Sequence, residues 1–219
     1  MSKSGNKKPS KVRIVGGEWK RRMVSFPAVD TLRPTPDAVR ETLFNWLQQD
    51  LTGLVCLDLF AGSGVLGFEA ASRGASHVTM VEKDAAAFAA IKENAVLLNG
   101  DNSNQRFELV RGDALQFASQ LTSQRPSQLT SQPTPQSALK FAAQENVARY
   151  DLLFLDPPYR QGWIERLTPM LEGLLAPNAR IYAEAEYAIE NIGKWQCVRQ
   201  GKSGQVYYHL FEATENIEG

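Results

Sequence analysis

The sequence predicts an α/β protein. We expect a mainly parallel, seven-stranded sheet with helices on both faces, a C-terminal antiparallel hairpin and a small N-terminal β-hairpin arm. Three observations lead there. Short apolar runs alternate with helical patterns from about residue 54 to 186, the order that builds parallel sheets through crossover helices. A glycine-rich turn, Gly62-Ser63-Gly64-Val65-Leu66-Gly67, follows the first of those runs. Residues 195–213 read as two strands around a Gly201–Gly204 turn, an antiparallel edge that such sheets commonly carry.

Residues 1–10 are Ser, Gly, Asn, Lys and Pro with one apolar residue, Met1, and read as a disordered basic tail. Residues 11–30 form the arm: β-branched and apolar residues surround Gly16-Gly17. The remaining domain, 31–219, opens on a proline-punctuated segment where Thr35 or Asp37 can cap a helix. Val39, Leu43, Phe44, Trp46 and Leu47 then share one helical face. The run 54–60 has the continuous apolarity of a strand buried on both faces, and the turn after it leads into a helix that stops at Gly74. Strand 77–82, an alanine-rich helix stopped by Asn99-Gly100 and strand 107–113 follow. Strand 150–159 ends in two prolines; helix 163–175 and strand 179–186 come next. One segment breaks the rhythm. Ser-Gln-Leu-Thr-Ser-Gln occurs at 119–124 and again at 127–132, too polar to bury a core, so 119–146 reads as a low-complexity surface insertion.

Hydrophobic residues make up 43% and charged residues 22% of 219, a globular composition that argues against wholesale disorder. No apolar run approaches a membrane span of roughly 20 residues, and no apolar stretch follows the basic N-terminus, so neither a membrane protein nor a secretory signal is expected. Cys56 and Cys197 lie in apolar contexts without metal spacing; a disulfide scaffold is excluded and no metal is expected. A cytoplasmic protein follows, and nothing calls for more than a monomer. The formal net charge is zero, yet residues 1–40 carry ten Lys or Arg against three Asp or Glu. A concentrated basic head on a neutral chain suits one polyanion-facing surface rather than general polyanion binding.

The glycines at 62–67 open a helix after a strand, and Glu82 lies 20 residues beyond Gly62 at the end of the next strand. That spacing fits a nucleotide-type site in which the carboxylate accepts from ribose hydroxyls. Asp58 separates the ligand classes. A pyrophosphate would be repelled by a carboxylate four residues before Gly62; S-adenosylmethionine, with a sulfonium and an ammonium, is attracted by it. Asp113 ends the third strand, where it can accept from an adenine amine, cap the following helix, or both. Asp58, Glu82 and Asp113 then line one cleft.

Asp156-Pro157-Pro158-Tyr159 closes the fourth strand. The prolines stiffen the turn and leave carbonyls as acceptors. A carboxylate beside a carbonyl suits an –NH₂ group, and Tyr159 offers a ring on which a base can stack. Two acceptors bias an amine on a base toward the pyramidal geometry of attack, and Asp156 can take the released proton.

Together these residues resemble the class I S-adenosylmethionine-dependent methyltransferases, with a Rossmann-like sheet. The match is similar in more detail to the RsmD family of 16S rRNA guanine-N2 methyltransferases. It rests on 13–22, 32–47, 57–75, 81–84, 112–114, 154–159 and 201–212, nearly the whole chain except the extreme N-terminus and the insertion. The resemblance implies S-adenosyl-L-methionine as cofactor and methylation of the N2 amine of one guanine, position 966 by nucleotide count, in the small ribosomal subunit. It implies cofactor binding by Asp58, Phe60, Gly62, Ser63, Gly64, Glu82, Lys83, Asp113, Ala114 and Asp156, with Asp156, Pro157 and Tyr159 at the target base. Arg13, Lys20, Arg21, Arg22, Arg33 and Thr35 become the RNA-binding candidates, since basic arms position RNA through phosphates. His77 and His209 read as structural, and Trp19, Trp46, Trp163 and Trp195 as packing residues. A DNA adenine-N6 or protein-glutamine methyltransferase shares the tetrapeptide chemistry. A nicotinamide-dependent oxidoreductase is disfavoured by Asp58, and a non-catalytic ribosome assembly factor by the intact carboxylates.

Overall fold

Residues 8–28, 34–100, 106–123 and 149–214 are described by the computed structural model. Two strands, β1 (Ser10–Arg13) and β2 (Met23–Phe26), pair antiparallel with Ser10 opposite Phe26. Ser10, assigned from the sequence to the tail, is therefore the first residue of the arm's hairpin; residues 1–7 lie outside the described residues. Helix α1 (Asp37–Trp46) follows, then β3 (Val55–Asp58), α2 (Val65–Ser72), β4 (His77–Glu82), α3 (Ala85–Asn99), β5 (Phe107–Arg111) and α4 (Ala114–Ser123). The chain continues with β6 (Tyr150–Leu155), α5 (Trp163–Leu174), β7 (Leu175–Ala185), β8 (Asn191–Ile192), β9 (Trp195–Ser203) and β10 (Val206–Ala213).

The large sheet runs β5-β4-β3-β6-β7-β10-β9-β8. Its first five strands are parallel, and β10 lies antiparallel between β7 and β9. The seven expected strands are joined by an eighth, β8, only two residues long. Chain order reverses at β3, with β4 on one side and β6 on the other. Beyond the carboxyl ends of strands at such a switch point, crossovers leave in opposite directions and open a crevice.

Side chains alternate across the sheet with period two. Along β6, Leu152 and Phe154 face one core with α1, α2, α3 and the arm; Leu153 and Leu155 face the other with α4 and α5. Helix α4 takes in residues 119–123, which the polar repeat had suggested belonged to the insertion. Leu115, Ala118 and Leu121 recur at helical spacing and pack on the second core, so burial overrides composition there. The rest of the insertion, 124–146, lies outside the described residues.

The arm is docked rather than free. The Glu18 amide donates to the Ser72 carbonyl at 2.7 Å, and the Trp19 amide to the Ser72 hydroxyl at 2.8 Å. Asn94 of α3 both accepts from and donates to the Ser25 backbone. Val12, Ile14, Trp19, Val24 and Phe26 bury their side chains in the first core. At its centre Glu69 bridges Arg40 and Arg73, all three buried. Arg40 also donates to the carbonyls of Arg13 and Thr35, joining the arm, α1 and α2 through one guanidinium.

No helix among the described residues is long and apolar enough to cross a membrane.

Candidate functional site

The turn after β3 is shaped by glycine. Gly62 and Gly64 have φ of 55° and 77°, left-handed values that cost a side-chain-bearing residue energy. A Cβ on Gly64 would lie 2.7 Å from Phe68 Cε2, and one on Gly67 2.5 Å from Met80 Sδ. Gly67 therefore lets α2 approach β4. Glu82 braces the turn: one carboxylate oxygen accepts from the Gly62 amide at 2.7 Å, the other from the Asp84 amide at 2.6 Å. Each oxygen keeps a second lone-pair direction. Asp84 in turn caps α3, accepting from Ala86 and Ala87.

A cavity of about 940 Å³ lies beyond the carboxyl ends of β3, β4, β5, β6 and β7. Asp58, Phe60, Gly62, Ser63, Glu82, Lys83, Asp113, Ala114 and Asp156 all line it; of the expected cofactor residues only Gly64 does not. Asp58 is buried, and neither of its carboxylate oxygens has a hydrogen-bond partner among the described residues. Burial pushes this carboxyl up to about 7; the nearby Phe60 amide, short of hydrogen-bond geometry, opposes the rise, and the Glu82 charge adds to it. A buried acceptor without a donor requires one from a ligand. The ammonium of S-adenosylmethionine meets that requirement, a pyrophosphate does not, and these residues therefore fit the methyl donor.

Asp113 takes the capping role foreseen for it and lines the cavity. Its Oδ1 accepts from the Leu115 and Gln116 amides and caps α4, while Oδ2 stands 3.4 Å from Lys83 Nζ. Burial raises its pKa, but the Gln116 amide, Lys83 and the Leu115 amide outweigh it, and the carboxyl lies below its usual value. The Lys83 side chain is 79% exposed at the cavity's edge.

At the other end of the cavity stand Asp156, Pro157 and Tyr159. Burial, and after it the charges of Glu184 and Asp58, hold the Asp156 carboxyl well above the carboxylate range. Tyr159 is 44% exposed and lines the cavity. Its phenol is raised by burial, then by Asp156, Glu184 and Glu186.

The sequence matches the family model described as Conserved hypothetical protein 95 over residues 12–131 and 125–212. The ribosomal RNA small subunit methyltransferase D of Escherichia coli K12 is 35% identical over 219 residues, which cover 97% of this chain and 95% of that protein. The chain belongs to the RsmD family. The Haemophilus influenzae protein of the same name is 35% identical over 92% of this chain and 93% of its own. The solved Escherichia coli structure named yhhF is 35% identical, with a TM-score of 0.70 over 93% of this chain and 98% of that one.

In this RsmD family member the basic candidates part company. Lys20 and Arg21 are exposed and make no ion pair with a described residue. Arg13 pairs with Asp37 at 2.6 Å. Arg22 donates to the carbonyls of Leu97 and Leu98, closing the end of α3. Arg33 lies outside the described residues. Thr35 lines the cavity, buried, and its hydroxyl donates to Glu184 at 2.9 Å. Neither Thr35 nor Asp37 caps α1, whose N-cap is Pro36 with no side-chain bond; the Thr35 hydroxyl has Glu184 instead, and Asp37 turns to Arg13 and Arg40.

Several wall residues escaped the sequence reading. Glu184 is the main one, held by Thr35 and by the Tyr182 hydroxyl at 2.8 Å. Alternation along β7, with Tyr182 and Glu184 on one face, was its only signal. Trp163 and Tyr208 also line the cavity. Trp163 packs edge-on against Phe60 at 5.2 Å, so one of the four tryptophans expected only to pack borders the ligand space. His209 is buried and structural, accepting from the Ile189 amide.

Proposed function

We propose that this protein is an S-adenosylmethionine-dependent rRNA methyltransferase. It transfers a methyl group to the exocyclic N2 amine of a guanine in 16S rRNA, position 966 by nucleotide count, acting as a cytoplasmic monomer on the small ribosomal subunit. One observation carries this reading: a partnerless buried carboxylate, Asp58, and the rigid acceptor pair at Asp156-Pro157 share one cavity beyond the switch point of the sheet. The relatives named as rRNA small subunit methyltransferases supply the substrate class.

The cofactor supplies an electrophilic methyl group next to a positive charge. Asp58 would attract its ammonium, Glu82 would accept from ribose hydroxyls, and Asp113 from the adenine amine. Asp156 and the Pro157 carbonyl hold the two hydrogens of the base amine, and Tyr159 stacks on the ring. The methyl carbon would pass to the amine nitrogen, and the bonding pair would stay with the cofactor's sulfur. Asp156, already disposed by its surroundings to bind a proton, takes the one the nitrogen releases. Lys20 and Arg21 of the arm neutralise phosphates.

The test is methyl transfer from labelled S-adenosylmethionine to small subunits from a strain lacking the gene, followed by nucleoside analysis. Label in N2-methylguanosine is expected, with Asp156→Ala lowering transfer by at least about a hundredfold. Label in another nucleoside overturns the guanine assignment, and full transfer by Asp156→Ala overturns the mechanism.

A further inference from the structure

The reacting end of the cavity holds more acceptor capacity than one amine needs. Leu155 of β6 pairs with Ala183 of β7, so Asp156 and Glu184 are the next residues on two neighbouring parallel strands. Both line the cavity with Pro157 and Tyr159. Glu184 is 6% exposed and fixed from behind, because the hydroxyls of Thr35 and Tyr182 converge on Oε1 at 2.9 and 2.8 Å. Among the described residues Oε2 accepts no hydrogen bond, no Lys or Arg pairs with this carboxylate, and no group of three His, Cys, Asp or Glu is arranged to hold a metal ion. Among the described residues only Asp58 has fully enclosed side-chain oxygens without a partner, so Oε2 of Glu184, on the cavity wall, is reachable and can accept from a ligand.

We propose that Glu184 reads the target base, its Oε2 accepting the ring N1–H of guanine while Asp156 holds the N2 amine. This rests on the guanine-N2 reading above. Guanine presents N1–H and N2–H as adjacent donors along one edge, and two carboxylates from adjacent strands match them. Adenine and cytosine offer a ring-nitrogen lone pair beside their amines, which Glu184 repels. One residue thus admits guanine and rejects the other two amino bases. Holding N1–H also moves electron density toward N2, making the amine a better nucleophile. Before the base arrives, burial holds the Glu184 carboxyl above its usual value, and its charge raises Asp156; the two donors of guanine relieve both. Thr35 and Tyr182 are positioning residues for this contact.

The experiment uses small subunits reconstituted from rRNA ligated to carry either guanosine or 2-aminopurine riboside at the target position. 2-Aminopurine keeps the 2-amine and lacks N1–H. Single-turnover transfer is compared for the wild type and Glu184→Gln. The wild type is expected to favour guanosine by about a hundredfold, and Glu184→Gln to shrink that ratio to tenfold or less, because its amide can donate to the N1 lone pair. Loss of one fixing hydroxyl in Thr35→Val is expected to shrink the ratio in the same direction by several-fold, which serves if Glu184→Gln does not fold. A wild type indifferent to the two bases, or variants that fold, bind cofactor and keep the wild-type ratio, overturns the proposal. Nucleoside analysis of the wild-type product on guanosine subunits tests the underlying reading separately: label outside N2-methylguanosine removes that reading, whatever the ratio.

Discussion

The Thr35 hydroxyl donates to Glu184 across 2.9 Å, joining residues 149 positions apart in the chain. Behind it, Arg40 Nε holds the carbonyl of the same Thr35 at 3.1 Å. The wall of the reacting site is thereby tied to the buried Glu69 cluster, which also fastens the arm through the Val15 amide at 2.7 Å.

Replacing Arg40 by Met should therefore act on stability and on the site together. Removing one partner of a buried charge cluster costs about 3–5 kcal/mol, and the low end is expected because Arg73 still faces Glu69. For a chain of this size that corresponds to a drop of roughly 6–12 °C in Tm. Differential scanning calorimetry would show it; a loss under about 1 kcal/mol would mean the cluster does not hold the arm.

Asp58 predicts opposite pH trends for the free protein and for cofactor binding. Its folded pKa of about 7 exceeds its reference value of 3.8, so the folded state holds the proton more tightly. The associated stability is complete below about pH 4 and is lost as pH rises toward 7, on the order of a few kcal/mol. The cofactor's ammonium favours the ionised form, so affinity should rise over the same interval. Isothermal titration between pH 5.5 and 8 checks this. Asp58→Asn should bind at least tenfold more weakly at pH 8, with a flatter profile.

The two glycines of the turn should fail for different reasons. Gly64→Ala places a side chain at φ 77° and against Phe68, so it should lower both stability and cofactor affinity. Gly67→Ala meets Met80 instead, overpacking the α2–β4 contact at a cost of about 1–3 kcal/mol. Denaturant unfolding measures both, and cofactor titration should separate them, with only Gly64→Ala binding much more weakly per folded molecule.

The arm should divide into an RNA face and a docking face. Lys20→Ala with Arg21→Ala should leave Tm within about 1 °C, weaken binding to small-subunit RNA and reduce the salt dependence by about 0.7–0.9 per lost phosphate contact. Arg22→Ala instead loses its bonds to Leu97 and Leu98, and should lower stability by about 1 kcal/mol. Filter binding across salt concentrations, beside thermal melts, distinguishes the two.

The sequence by itself determined what depends on neighbours in the chain. The apolar run before Asp58, the glycines at 62–67 and the stop at Gly100 each encode a local backbone requirement, and strand–helix alternation dictates the parallel sheet. Asp58, Glu82, Asp113 and Asp156 were legible because each ends a strand or follows one within two residues, and strand ends meet at one edge of such a sheet. Tertiary structure decided everything that rests on long-range pairing. Nothing in their local sequence marks Arg40 and Glu69 for burial, yet both are buried because they neutralise each other 29 residues apart. Glu184 was not singled out, and only the placement of β7 beside β6 sets it next to Asp156. The basic residues of the arm looked equivalent, but docking divides them, since Arg22 reaches helix carbonyls while Lys20 and Arg21 stay in solvent. A side chain's charge is written in the sequence, whereas its partner, and with it its energy and its role, is set by which distant segments the core brings into contact.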